Sequence, residues 1–319
     1  MYIEQAYKGL TDAWRYIVGG AIIFFAWQIL GAIPLMAGIF INMDGFENFP
    51  SDISGMVALL GNNLFLFLML ISFALGLIGV FISSKYLHKL SIKNLTTTRK
   101  KIDWKRFCFI FLLWGGITTG MVLLDYYYIT PENYVFNFQL KPFLILLVIG
   151  IFLLPLQTSF EEYAFRGYGM HFLGTLCKNR WVPLIITSVA FGLMHILNPE
   201  VEKLGYIIMV YYIGTGFFLG IITLMDEGLE LALGFHFANN LFTALLVTTD
   251  WTVLQTDSIL KDISDPSEMV ITEIIVPVLV VFPILLFILS KKYKWTNWKD
   301  KLFGPVVEPT KEDYKILED

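Results

Sequence analysis

Residues 154–172 read LPLQTSFEEYAFRGYGMHF and close an almost wholly apolar run that begins near Phe143. An ionisable side chain at the centre of a membrane helix costs about 2.5–3.5 kcal/mol on insertion scales. Yet Glu161, Glu162 and Arg166 stand here together. On a helix, Glu162 and Arg166 are four apart and share a face, whereas Glu161 points about 100° away from its neighbour. A salt bridge that orients the chain at a membrane boundary accounts for Glu162 and Arg166. Glu161 is left as the unexplained charge, and its partner is expected on another helix.

The surroundings explain why this charge matters. The 319-residue chain is 56% hydrophobic and 16% charged, with 28 Phe, which is not the make-up of an ordinary soluble domain. Several stretches reach the ~20 apolar residues that cross a ~30 Å hydrocarbon core as helix. No barrel-like alternation is visible, and helices satisfy their own backbone in lipid. The expectation is an all-α, polytopic membrane protein with about eight spans, at 16–41, 63–83, 107–124, 143–161, 181–197, 206–225, 231–249 and 271–290. No cleavable signal peptide is read at the start, because the first apolar run is long enough to remain a span.

Charge sets the expected orientation. The loop 84–106, SKYLHKLSIKNLTTTRKKIDWKR, is rich in Lys and Arg. The loop after span 4 adds Arg166, Lys178 and Arg180, and the last segment opens with KKYKWTNWKDK. Opposite loops are acidic: 43–52 has no Lys or Arg, and 250–270 has Lys261 against Asp250, Asp257, Asp262, Asp265 and Glu268. Both termini are therefore expected in the cytoplasm. The basic loop reads as a topology determinant beside anionic headgroups, with no nucleic acid expected. Cys108 and Cys177 have neither metal-ligand spacing nor the look of a disulfide framework.

Beyond Glu161, the polar residues of the spans are few. His195 lies in VAFGLMHILNP, and His236 lies in LGFHFANNLF with Asn240 one turn on. Asn239 points about 100° away and reads as a packing or backbone-bonding residue. His171 follows closely behind the glutamates, and His88 sits in the basic loop. A carboxylate beside imidazoles can act as general base on water, and an imidazole or amide can stabilise an oxyanion. The same Glu161, His195 and His236 could instead ligate zinc or another divalent metal. No HExxH helix is present.

Taken together, EExxxR (Glu161, Glu162, Arg166), FxxxH (Phe191, His195) and HxxxN (His236, Asn240) resemble the three-motif signature of the CPBP intramembrane proteases. That family is similar to the type 2 CAAX prenyl endopeptidases and includes Abi and bacteriocin-immunity relatives. The resemblance covers roughly 143–249. It implies a catalytic core there, flanked by 1–142 (spans 1–3 and the basic loop) and 250–319 (acidic loop, last span and tail), with the active site among spans 4, 5 and 7. It also implies an intramembrane endopeptidase acting on a membrane-associated peptide or protein. The family is described both as metalloproteases and as metal-independent glutamate proteases. The second is expected here, because an Asn near His236 suits oxyanion binding better than metal. Glu161 would activate water with help from His195, and His236 and Asn240 would hold the oxyanion. Glu162 and Arg166 would support the site, and Phe191 would set the rotamer of His195. The alternatives are a non-catalytic scaffold or immunity protein of this fold, and a transporter. If the chain is bacterial, as its short loops suggest, its place is the plasma (inner) membrane.

Overall fold

The computed structural model describes residues 1–268 and 270–310; positions 311–319 of the expected tail lie outside the described residues. The chain is built on α1 (Ala13–Asn42), α2 (Asn62–Leu87), α3 (Trp104–Ile129), α4 (Leu140–Cys177), α5 (Trp181–Leu193), α6 (Tyr206–Asp226), α7 (Glu230–Leu246) and α8 (Ile271–Tyr293). Six of these are long and apolar enough to cross a membrane. The other two are shorter: α5 has 13 residues and α7 has 17, or ~20 Å and ~26 Å at 1.5 Å per residue. Eight full spans were expected, and length and composition support six.

The reasons for the two short helices are local. Pro199 lacks an N–H and disfavours helix in the residue before it. Ahead of it the chain tightens into turns, with His195 N–H on the Gly192 carbonyl at 3.0 Å and Ile196 N–H on that of Leu193 at 3.1 Å. Helix α7 starts beneath the α2–α3 connection instead of at the surface. Leu229 N–H donates to the Thr96 carbonyl at 2.8 Å, and Glu230 is fully buried.

The boundary of α4 corrects the sequence reading. The helix was expected to end at 161, but it runs on to Cys177, where Lys178 takes a left-handed φ of 55° and stops it. Over Tyr163–Gly169 the backbone widens into a π-helical stretch, a distortion that recurs at functional sites. Arg166 is therefore no loop cation setting topology. It is fully buried inside the helix.

The segments gather at two ends. At one, Arg99 binds Asp226 at 2.8 Å and Glu230 at 3.0 Å, Arg106 pairs with Asp226, and Trp295 donates to Asp226 at 3.0 Å. There too Arg180 pairs with Glu4, and Val306 N–H reaches the Lys178 carbonyl at 3.0 Å. The basic connections thus share an end with both described terminal segments. However, Arg99 and Arg106 are engaged by buried acids and are not free for headgroups. At the other end, Asp257 accepts from Asn62 at 2.8 Å and Asn63 at 2.7 Å. A small sheet, not anticipated in the all-α reading, also lies among the acidic connections. Its strands β1 (Tyr134–Phe136), β2 (Val247–Thr248) and β3 (Leu260–Asp262) run in the order β1-β3-β2, antiparallel then parallel. Cys108 and Cys177 are free and exposed.

Candidate active site

Close helix packing brings the site together. A Cβ on Gly216 would collide with the Ser188 backbone, and one on Gly192 with Ile213, so α5 and α6 meet at backbone distance. Where α3 and α7 cross, a Cβ on Gly234 would meet the Phe107 backbone and one on Gly115 the Phe242 ring. Small residues at such crossings let helices approach where lipid provides no hydrophobic drive.

Glu162 and Arg166 pair at 3.1 Å, both fully buried, as the i,i+4 spacing predicts. Arg166 also donates to the Gly216 carbonyl at 3.0 Å and lies 4.2 Å over the Phe191 ring. Glu162 does more than pair: its Oε1 also meets Nδ1 of His236 at 2.8 Å. A carboxylate on Nδ1 orients the imidazole and places the proton there, so Nε2 faces away with its lone pair free when the ring is neutral. That Nε2 stands 3.6 Å from Oε2 of Glu161. His236 thus faces Glu161 from another helix without bonding to it. The hydrogen-bond partner of Glu161 is Gln157 on its own helix, which the expectation of an interhelical partner did not foresee.

His195 falls in the turn that ends α5. Its Nδ1 donates to the Phe191 carbonyl at 2.9 Å, and its ring stacks on Tyr212 with centroids 4.3 Å apart and planes 17° apart. Phe191 lies 5.1 Å from the His195 ring and 5.8 Å from that of His236, so it packs between the two imidazoles. Among the described residues, no group of three or more His, Cys, Asp or Glu is placed to hold a metal ion.

Four residues were missed. Gln157, one turn before Glu161, donates to Oε1 of Glu161 and accepts from Nδ2 of Asn240 at 2.9 Å. Asn239 is no backbone-bonding residue: it donates to Oδ1 of Asn240 at 3.2 Å and accepts from the Trp114 indole at 3.1 Å. Tyr212 stacks on His195 as described. Gln157 had a legible signal, since a polar residue four before an intramembrane glutamate shares its face. Trp114 and Tyr212 had none beyond being aromatic. His171 and His88 stay outside the site. His171 is buried against Tyr2, and His88 binds the Leu10 carbonyl at 2.7 Å and the Tyr168 hydroxyl at 2.8 Å.

Fold and site define a class: a multi-pass helical membrane protein with a half-buried carboxylate facing a carboxylate-oriented imidazole. Residues 140–242 match the family model described as Type II CAAX prenyl endopeptidase Rce1-like. That stretch contains all three motifs, and the family it matches agrees with the one the motifs resemble. The chain is also similar to the uncharacterized protein YyaK of Bacillus subtilis (strain 168), with 28% identity over 243 residues, covering 76% of this chain and 80% of that one. No solved structure matches.

Proposed function

We propose that this chain is an intramembrane endopeptidase that hydrolyses a peptide bond of a membrane-associated peptide or protein through water activated by Glu161. The observation that carries the reading is Oε2 of Glu161: a buried carboxylate oxygen with no hydrogen-bond partner, beside Nε2 of His236. A buried acceptor left unmatched is costly, so such a group calls for a missing partner. Water held there would donate to Oε2. As its oxygen attacks the scissile carbonyl, Glu161 takes the proton. His195, its Nδ1 occupied, offers Nε2 as a second acceptor for the same water. The oxyanion would be met by the remaining N–H of Asn240 and by Nε2–H of His236 in its imidazolium form, which Glu162 balances and which keeps both its protons through the step. The proton then passes from Glu161 to the leaving nitrogen as the C–N bond breaks. No step needs a metal.

CAAX-type substrates and peptide precursors both fit this reading, and the basic end with both termini is assigned to the cytoplasm. The test is comparative proteomics of a deletion strain complemented by wild type or by Glu161→Gln. The amide keeps the shape but cannot take the proton, so uncleaved precursors should accumulate equally in the deletion and Glu161→Gln strains. Processing by Glu161→Gln at the wild-type level defeats the general-base assignment. If wild type changes no peptide, the non-catalytic scaffold is the better account. A second measurement addresses the cofactor: purified protein should carry no stoichiometric metal and keep its activity in a strong chelator. Loss on chelation with recovery on adding metal back would require a metal-ligand role for these residues.

A further inference from the structure

Three of the missed residues, Trp114, Asn239 and Gln157, form one line. The Trp114 indole donates to Oδ1 of Asn239 at 3.1 Å, and Nδ2 of Asn239 donates to Oδ1 of Asn240 at 3.2 Å. Nδ2 of Asn240 donates to Oε1 of Gln157 at 2.9 Å, and Nε2 of Gln157 donates to Oε1 of Glu161. Every bond in the line points the same way, from α3 through α7 to α4.

The direction follows from chemistry. An indole N–H only donates and an ionised carboxylate only accepts, whereas each amide can present either end. With a donor-only head and an acceptor-only tail, the three amides between have a single consistent orientation. The rigid end is Trp114, buried with its ring 4.7 Å from that of Phe235. We propose that Trp114, Asn239 and Gln157 are positioning residues: a one-way amide chain, anchored on the Trp114 indole, that occupies Oε1 of Glu161 and leaves Oε2 as its reactive oxygen.

Two consequences follow. The chain fixes the flip of Asn240, so that its Nδ2 faces Gln157 and keeps a second hydrogen for another acceptor. It also polarises the last N–H through its neighbours, because aligned hydrogen bonds strengthen one another in a low-dielectric interior. Trp114 lies outside the stretch 140–242 that matches the family model, so this anchor is a feature of the wider chain.

The inference rests on the proposed role of Glu161, but its test needs no substrate. The carboxylate stretches of Glu161 in the purified full-length protein can be read by infrared difference spectroscopy at one fixed pH and assigned by their loss in Glu161→Gln. The other groups that act on this carboxylate are His236 on α7, His195 after α5, and Glu162 and Arg166 on α4. All of them remain in the variants. A hydrogen bond to one carboxylate oxygen makes the two C–O bonds unequal, so removing the donor should move the Glu161 bands. Gln157→Leu, apolar in an apolar helix, should shift them clearly. Trp114→Phe keeps the ring and loses only the N–H, and should shift them the same way by less. Unchanged bands in both Gln157→Leu and Trp114→Phe would overturn the chain as a positioning device. A shift in Gln157→Leu with none in Trp114→Phe would overturn the indole anchor. Failure of the protease reading would show separately, as a wild type that processes no peptide while these shifts persist.

Discussion

At the scale of single residues, Glu162 carries two duties that its i,i+4 spacing showed only in part. It neutralises Arg166 and orients His236. Glu162→Ala should leave a buried guanidinium without its counter-charge, a change that costs about 3–5 kcal/mol in comparable buried pairs. Thermal unfolding in detergent should show a large loss of stability for this variant and for Arg166→Ala. Replacing the pair by Gln and Met removes both charges and should recover most of the stability. Turnover should stay low in that double variant, because an amide holds His236 less strongly than a carboxylate. A double variant that regains full turnover would mean that Glu162 serves stability alone. Asn239 and Asn240 are the other residue-scale revision. Their facings differ as the helical period requires, yet Asn239 touches Asn240 directly, so Asn239→Ala should lower turnover instead of being silent.

Among the elements, the turn after α5 decides how His195 is held. Tyr212 on α6 stacks on the imidazole, and its hydroxyl lies near Asn198 and Glu200. Glu200 in turn accepts from Val253 N–H at 3.2 Å, which ties the acidic connection to the turn. Tyr212→Leu should cut turnover by removing the stacking surface, while Tyr212→Phe, which keeps the ring, should retain most of it; equal losses in both would point to the hydroxyl. Burial holds the Glu200 carboxyl above the usual carboxylate range. Because its folded pKa lies above the unfolded one, its contribution is fully present below the unfolded value and is lost as pH rises through the folded value. Glu200→Gln should therefore melt higher than wild type at neutral pH, with the gap closing in acid. An advantage that grows in acid would contradict that sign.

For the molecule as a whole, the basic connections lie at one end and the acidic ones at the other, although Arg166, counted among the loop cations, is buried in α4. The compartments of the two ends can be tested. Cys177 is exposed beside Lys178, at the end shared by the basic connections. In intact cells a membrane-impermeant thiol reagent should leave Cys177 unlabelled until the membrane is opened. Ser51→Cys, in the opposite acidic loop, should label at once. The reverse pattern would invert the orientation.

What the sequence determined by itself was the kind of molecule and its unusual charges. Apolar length alone makes helices that must lie in lipid, and hydrocarbon makes Glu161, Glu162, Arg166, His195, His236 and Asn240 conspicuous, because nothing cheap explains an ionisable or amide group there. Helical period paired Glu162 with Arg166. Where α4 ended was beyond such reading. A charged, glycine-containing stretch looks like a boundary, and Arg166 stays inside only because Glu162, the Gly216 carbonyl and the Phe191 face receive it. The imidazole of His236 set between two glutamates and the amide line from Trp114 to Glu161 were likewise tertiary. Each depends on helices meeting at glycine contacts far apart in the chain, and a local pattern carries no record of which distant face will supply a side chain's hydrogen bond.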